Sequence, residues 1–230
     1  MINFHTLIFV GFFIVLHAIF VSLPKFNFGR AFKVSRGVAA LLLSVVGFFA
    51  IFSDLQNWSQ AFIYFHSSHS QLEEIWYWCM HFCLGHFWAD LLWLFWGRIR
   101  YKVDPRKDLI IHHLIGIVAF SYALHHQLAY PACLITMASE IMPVTTGLSA
   151  YGQRVKNLRL VKWSKDTRLK ILVWWRVPLW ATMSVLSLTA LISKEVAPGL
   201  LLPYIMGAAG FIALLFLDRF WIKQCLAAES

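Results

Sequence analysis

The sequence predicts an all-α fold: a polytopic membrane bundle of about seven transmembrane helices, with its N-terminus outside and its C-terminus cytoplasmic. Three observations carry this expectation. The chain is 60% hydrophobic and only 13% charged, with a mean hydropathy of +0.66, whereas soluble domains run nearer half apolar and a quarter charged. Its apolar residues gather into segments at roughly 2–23, 37–53, 75–97, 109–124, 128–148, 170–192 and 199–221, most of them close to the ~20 residues a spanning helix needs. Finally, 18 of the 20 basic residues fall in alternate connections, which puts them all on one side of a seven-span plan.

Taken in order, the first segment starts at Ile2 with no basic stretch before it, which reads as a retained helix rather than a cleaved signal. The connection 24–36 carries Lys25, Arg30, Lys33 and Arg36. The short second span follows, and then a longer outer loop, about 54–74, containing Asp54, His66, Ser67, Ser68, His69, Glu73 and Glu74. The third span ends before a basic connection holding Arg98, Arg100, Lys102, Arg106 and Lys107. The fourth and fifth spans are joined by a tight outer turn after His125 and His126. The longest inner connection, 149–170, carries Arg154, Lys156, Arg159, Lys162, Lys165, Arg168 and Lys170. Arg219 and Lys223 mark the end of the last span, and only Arg176 and Lys194 lie elsewhere. Basic loops stay on the cytoplasmic side of a membrane, and this sets the orientation.

The net charge of +9 is therefore chiefly a topology signal. Charges confined to short loops against a membrane exclude nucleic acid as a partner and suit anionic lipid headgroups or an acyl-CoA. Cys79, Cys83, Cys133 and Cys225 form no CxxC and no disulfide ladder. Cys79 and Cys83, four apart on one helix face, read as small core residues. Trp76, Trp78, Trp163, Trp174 and Trp175 fall near segment ends, as in an interfacial aromatic belt. The composition fits a bacterial inner membrane, the endoplasmic reticulum or the plasma membrane equally.

Ionisable residues inside apolar segments cost a few kcal/mol or more each and mark functional sites. His112 and His113 open the fourth segment, and Glu140 lies in the fifth, eight residues from Leu148 and so about 12 Å deep at the helical rise. Asp90 lies seven residues from Gly97, and Arg176 is less than two turns inside the sixth segment. Four spans thus bring polar groups into the cytoplasmic half. The expected site has His112, His113 and Glu140 as catalytic groups, with Asp90, Arg176 and His86 binding substrate; Glu140 paired to Arg176 as a structural network is the alternative. Adjacent histidines project about 100° apart on a helix, so one of the pair faces Glu140. His81 reads as a core histidine. Pro143, Pro178 and Pro203 lie within helices, where kinks are tolerated and open cavities.

No metal is assigned to this pocket. Ten histidines invite comparison with histidine-rich di-iron desaturases or hydroxylases, but His66, His69, His125 and His126 fall on the opposite side of the membrane from His112 and His113. The outer four could hold a separate Zn²⁺ or Cu²⁺, since imidazole suits either.

The stretch IIHHLIGIVAF…LITMASEIMP resembles the TLC-domain family of polytopic membrane proteins, which includes ceramide synthases, translocon-associated proteins and many lipid-related members. The His112-to-Glu140 spacing matches the ceramide synthase signature from its first histidine to its first aspartate. Arg176 in WWRVPLW resembles a recurring arginine of the following helix. Where ceramide synthases carry His-Asp and a second aspartate three residues on, this chain has Ser139, Glu140 and Pro143, which is similar to the non-synthase branches. The resemblance implies a helix and basic loop over 1–36, a TLC-like domain over 37–221 around a lipid-sized cavity, and a cytoplasmic tail over 222–230. It implies lipid binding, lipid homeostasis or control of membrane composition. The alternative is an acyltransferase that uses acyl-CoA as co-substrate at a His/Glu site.

Overall fold

A computed structural model describes residues 3–23, 27–53, 70–192 and 201–227. Among these residues the chain is helical and no strand occurs. In order the elements are α1 (Phe4–Ser22), α2 (Phe28–Phe52), α3 (Ser70–Tyr101), α4 (Lys107–His126), α5 (Tyr130–Ala138), α6 (Met142–Arg154), α7 (Leu158–Ile171), a π-helical turn (Leu172–Arg176), α8 (Val177–Ile192) and α9 (Leu201–Ala227). His66, Ser67, Ser68 and His69, with Lys25, Asp54, Lys194 and Glu195, lie outside the described residues.

Five helices are long and apolar enough to cross a membrane: Phe4–Ser22, Phe28–Ala50, Lys107–His126, Leu158–Ile192 and Leu201–Ala227. They mark the chain as a membrane protein. α3 is 32 residues long, but its aromatic, histidine and acidic side chains lower its hydropathy. That polarity is what makes α3 the carrier of the site.

Three sequence boundaries are corrected. The basic connection 24–36 is largely the first turns of α2, so Arg30, Lys33 and Arg36 sit on a helix. The basic connection 149–170 is helical too, as the end of α6 and nearly all of α7; its charges at three- and four-residue spacing let one face stay solvated. The fifth segment is broken in two. Pro143 has no N–H to give to the Ser139 carbonyl four residues back, and its ring crowds that group. The helix therefore stops at Ala138, turns through 139–141, and restarts with Pro143 in the first turn of α6. Pro178 acts similarly: the carbonyl it cannot serve lies within the π turn, where Val177 N–H reaches back to Leu172. Pro203 lies in the first turn of α9, where no helical N–H is needed.

The chain forms two compact units, Met1–Lys165 and Asp166–Ser230. In the first unit α1 packs on α3, α2 on α5 and α6, and α3 on α4. Phe13, Leu43, Met80, Phe87, Phe120, Leu134 and Met137 are fully buried among them. α2 lies against the α5–α6 break almost backbone to backbone. A Cβ on Gly47 would stand 2.5 Å from the Ala138 nitrogen, and Gly37 and Gly147 face each other across the α2–α6 contact. Small residues of this kind let membrane helices approach closely. In the second unit α8 packs on α9 around Trp180, Leu172 and Phe211. Phe4, Val15 and Ile19 on α1, and Phe216 on α9, remain more than half exposed, as suits side chains facing lipid.

Trp78, Trp163, Trp174 and Trp175 are exposed, in keeping with an aromatic belt, but Trp76 is buried. Its Nε1–H donates to the Ala50 carbonyl at 3.2 Å, so it is a packing residue rather than an anchor.

Candidate functional site: a carboxylate hub with paired imidazoles

α4 places His112 and His113 one step apart, and the 100° between them sends each ring to a different carboxylate. His112 Nε2 lies 3.0 Å from Glu140 Oε1. His113 Nε2 lies 3.0 Å from Asp90 Oδ2. A carboxylate only accepts, so the facing nitrogen of each ring carries the proton and Nδ1 is its basic atom. His112 and Glu140 are 5% and 3% exposed, and His113 and Asp90 are 0% exposed.

Glu140 owes its position to the break before Pro143. In the turn, Ser139 N–H bonds back to Ile135 and Thr136, and Glu140 N–H to Met137 at 3.1 Å. The carboxylate thus projects from an interrupted helix, where the backbone is held by tighter three-residue bonds. The Phe87 ring lies against both imidazoles, with centroids 6.0 Å from His112 and 5.4 Å from His113. It closes the apolar floor beneath them.

Asp90 is the centre of a wider set. Arg36 Nε donates to its Oδ2, which also receives His113, and His86 Nε2 stands 4.0 Å away. His17 Nε2 approaches the other oxygen, Oδ1, at 3.0 Å. The His17 ring is fixed from behind: the Ser35 hydroxyl donates to the Phe32 carbonyl at 3.0 Å, so it accepts from His17 Nδ1 at 2.7 Å. Four helices contribute, α1 through α4. Counting residues to the nearby end of each helix, His17, Arg36, Asp90 and His113 lie roughly 8 to 17 Å from it at the helical rise, and His86 about 22 Å. Antiparallel packing brings the end of α1, the start of α2, the end of α3 and the start of α4 together.

The expected residues thus fall into two groups. His112, His113, Glu140, Asp90 and His86 all lie in the first unit, and the two imidazole–carboxylate bonds and the His86–Asp90 approach tie them to one another in pairs. Arg176 lies in the second unit, beside Asp218. Its Nε lies 2.9 Å from Asp218 Oδ2 and its Nη2 3.0 Å from Oδ1, which is the fork geometry a guanidinium prefers. Trp180 Nε1–H donates to Asp218 at 3.0 Å, and the guanidinium lies over the Trp180 and Trp221 rings at 5.3 and 5.5 Å. Each within its own unit, Glu140 pairs with His112 and Arg176 with Asp218.

Four participants escaped the sequence reading: His17, Ser35, Arg36 and Asp218. His17 and Asp218 each interrupt an apolar segment, so the test that selected Glu140 applied to them equally. Arg36 adjoins an apolar segment boundary, where a basic residue reads as part of a loop. Ser35 carried no signal. Of the other histidines, His81 bonds the Thr6 hydroxyl at 2.7 Å, as a core histidine should. His125 and His126 lie at the opposite end of α4, their rings 4.7 Å apart. Cys79, Cys83 and Cys133 are buried and free of disulfides. Comparison of the chain with protein-family models, with curated proteins and with solved structures finds no match.

Proposed function

We propose that the chain is a lipid-handling integral membrane protein of the TLC kind, whose adjacent imidazole–carboxylate pairs transfer an acyl group from an acyl-CoA to a membrane lipid. One observation carries this reading. Neighbouring histidines on one helix are each held through Nε2 by a carboxylate from a different segment, both at 3.0 Å. An imidazole oriented in this way is a general base, and its carboxylate stabilises the imidazolium that forms. In the reaction the lipid's hydroxyl or amine bonds to the acyl carbon and the carbon–sulfur bond breaks. The proton leaves the nucleophile for imidazole Nδ1 and passes to the departing thiolate.

We assign recruitment of the CoA phosphates to the basic residues of 149–170, since the Arg176 fork is already filled by Asp218. In this reading the chain crosses the membrane seven times, with α5 and α6 together making the fifth pass and α7 running into α8 for the sixth. The N-terminus is outside, and the Asp90 hub opens towards the cytoplasmic face, in the inner membrane of a bacterium or in the endoplasmic reticulum or plasma membrane.

Purified protein given acyl-CoA with candidate amine and alcohol lipids is expected to release free CoA. His113→Ala and Glu140→Ala should each lower that release by about 10²- to 10⁴-fold, the usual worth of a general base. Unchanged release in both variants would overturn the assignment.

A second reading is lipid binding and homeostasis without turnover. The near-complete burial of His112, His113, Glu140 and Asp90 favours it, because a buried polar network also specifies structure. It is distinguished by a lipid that co-purifies with the wild type, is lost in Glu140→Ala, and is never converted.

A further inference from the structure

His17 Nε2 and Asp90 Oδ1 stand 3.0 Å apart, an ion pair when the ring is protonated and a pair of facing ligand atoms when it is neutral. The Ser35 hydroxyl fixes the proton of His17 on Nδ1, so Nε2 of the neutral ring presents a lone pair. That lone pair stands 3.0 Å from Asp90 Oδ1, another electron-rich atom. Both atoms are buried and neither has another polar partner among the described residues. Two ligands bonded to one zinc ion at about 2.1 Å stand about 3.0 to 3.4 Å apart. The observed separation fits that, with the ion off the line joining the two atoms.

We propose that His17, His86 and Asp90 bind one divalent transition-metal ion of the zinc or iron(II) class, buried within the first unit. Their ligand atoms lie within 4.8 Å of one another and all three residues are buried; ligands about 2.1 Å from one ion stand at most about 4.2 Å apart, so the His86 ring draws in by a few tenths of an ångström on binding. His86 has a second ring nitrogen, Nδ1, with no hydrogen-bond partner among the described residues, so nothing else fixes its tautomer. Two imidazoles and one carboxylate are the donor set of many zinc sites and of open iron(II) sites. The surroundings supply what such a set needs. Ser35 accepts from the far nitrogen of His17, as the outer partner of a metal-bound histidine does. Arg36 and His113 hold Asp90 by Oδ2 and leave Oδ1 for the ion. Neutral imidazoles, one carboxylate and the Arg36 guanidinium leave the loaded site net positive, which favours hydroxide or another anion as a further ligand.

This inference does not rest on acyl transfer, because metal content is read without any turnover. The full chain, purified without an affinity tag in mild detergent, is assayed for bound metal by mass spectrometry. It is then stripped with chelator and titrated separately with Zn²⁺ and, anaerobically, Fe²⁺. One ion per chain is expected, together with a cobalt-substituted form showing visible d–d bands. His17→Gln and His86→Gln should abolish both. Ser35→Ala removes only a hydroxyl and should weaken affinity by about 10- to 100-fold. If the histidine variants fail to fold, Ser35→Ala decides. Absence of binding by the wild type, or Zn²⁺ affinity unchanged in Ser35→Ala, overturns the site and leaves a protonated His17 facing Asp90.

Discussion

Asp90 in the first unit and Asp218 in the second are both fully buried, and the two carboxylates are treated differently. Asp218 meets one guanidinium through both oxygens, with Trp180 adding a third donor and two indole faces covering the charge. The acceptor capacity is used, the charges cancel, and both residues are almost completely buried. Asp90 instead meets Arg36 and three imidazoles, which is more basic groups than one carboxylate neutralises. Ring nitrogens of His86 and His113 are left without hydrogen-bond partners among the described residues. A buried ion pair that closes on itself is a clasp, whereas a hub with surplus basic atoms has capacity for a proton, an ion or a substrate. Intramembrane charge is thus a weak pointer to function until the partners have been counted.

Breaking the clasp should have the largest effect. Asp218→Ala strands a buried guanidinium, and removal of one partner of a buried pair costs about 3–5 kcal/mol; thermal unfolding in detergent should show a correspondingly large loss. Next is Gly47→Ala, whose added Cβ meets the Ala138 backbone. Overpacking of this kind costs about 1–3 kcal/mol. It should also lower CoA release, because the displaced segment leads directly into Glu140. Pro143→Ala restores an N–H for the Ser139 carbonyl. Stability should change by less than about 1 kcal/mol, the size of one hydrogen bond. The amides of residues 139–141 should then exchange more slowly with deuterium, and CoA release should fall as Glu140 is drawn into a regular helix. The smallest effect belongs to His125→Ala, at the far end of α4. There, melting should stay within about 0.5 kcal/mol and CoA release should be unchanged.

Much of the hub was legible before the coordinates. The 100° offset between His112 and His113 anticipated that only one would face Glu140, and burial of charge in apolar segments selected Asp90. The break at Glu140 was present in Pro143, although kinking alone did not say that the helix would stop. Arg36 was hidden because a basic residue at the edge of an apolar segment follows the topology signal. Only packing of α2 on α3 reveals that its side chain turns inward. Asp218 was hidden by Arg219 beside it, which made the position read as a helix end.

The contrast between the clasp and the paired-imidazole site is tested most directly by measuring melting and CoA release per folded molecule in Glu140→Gln and Asp218→Asn side by side. Glu140→Gln should melt within about 1 kcal/mol of wild type, a hydrogen bond's worth, while its turnover falls by about 10²-fold or more. Asp218→Asn should melt far lower, while its folded fraction turns over normally. Normal turnover in Glu140→Gln, or loss of turnover in the folded fraction of Asp218→Asn, would contradict the division of roles.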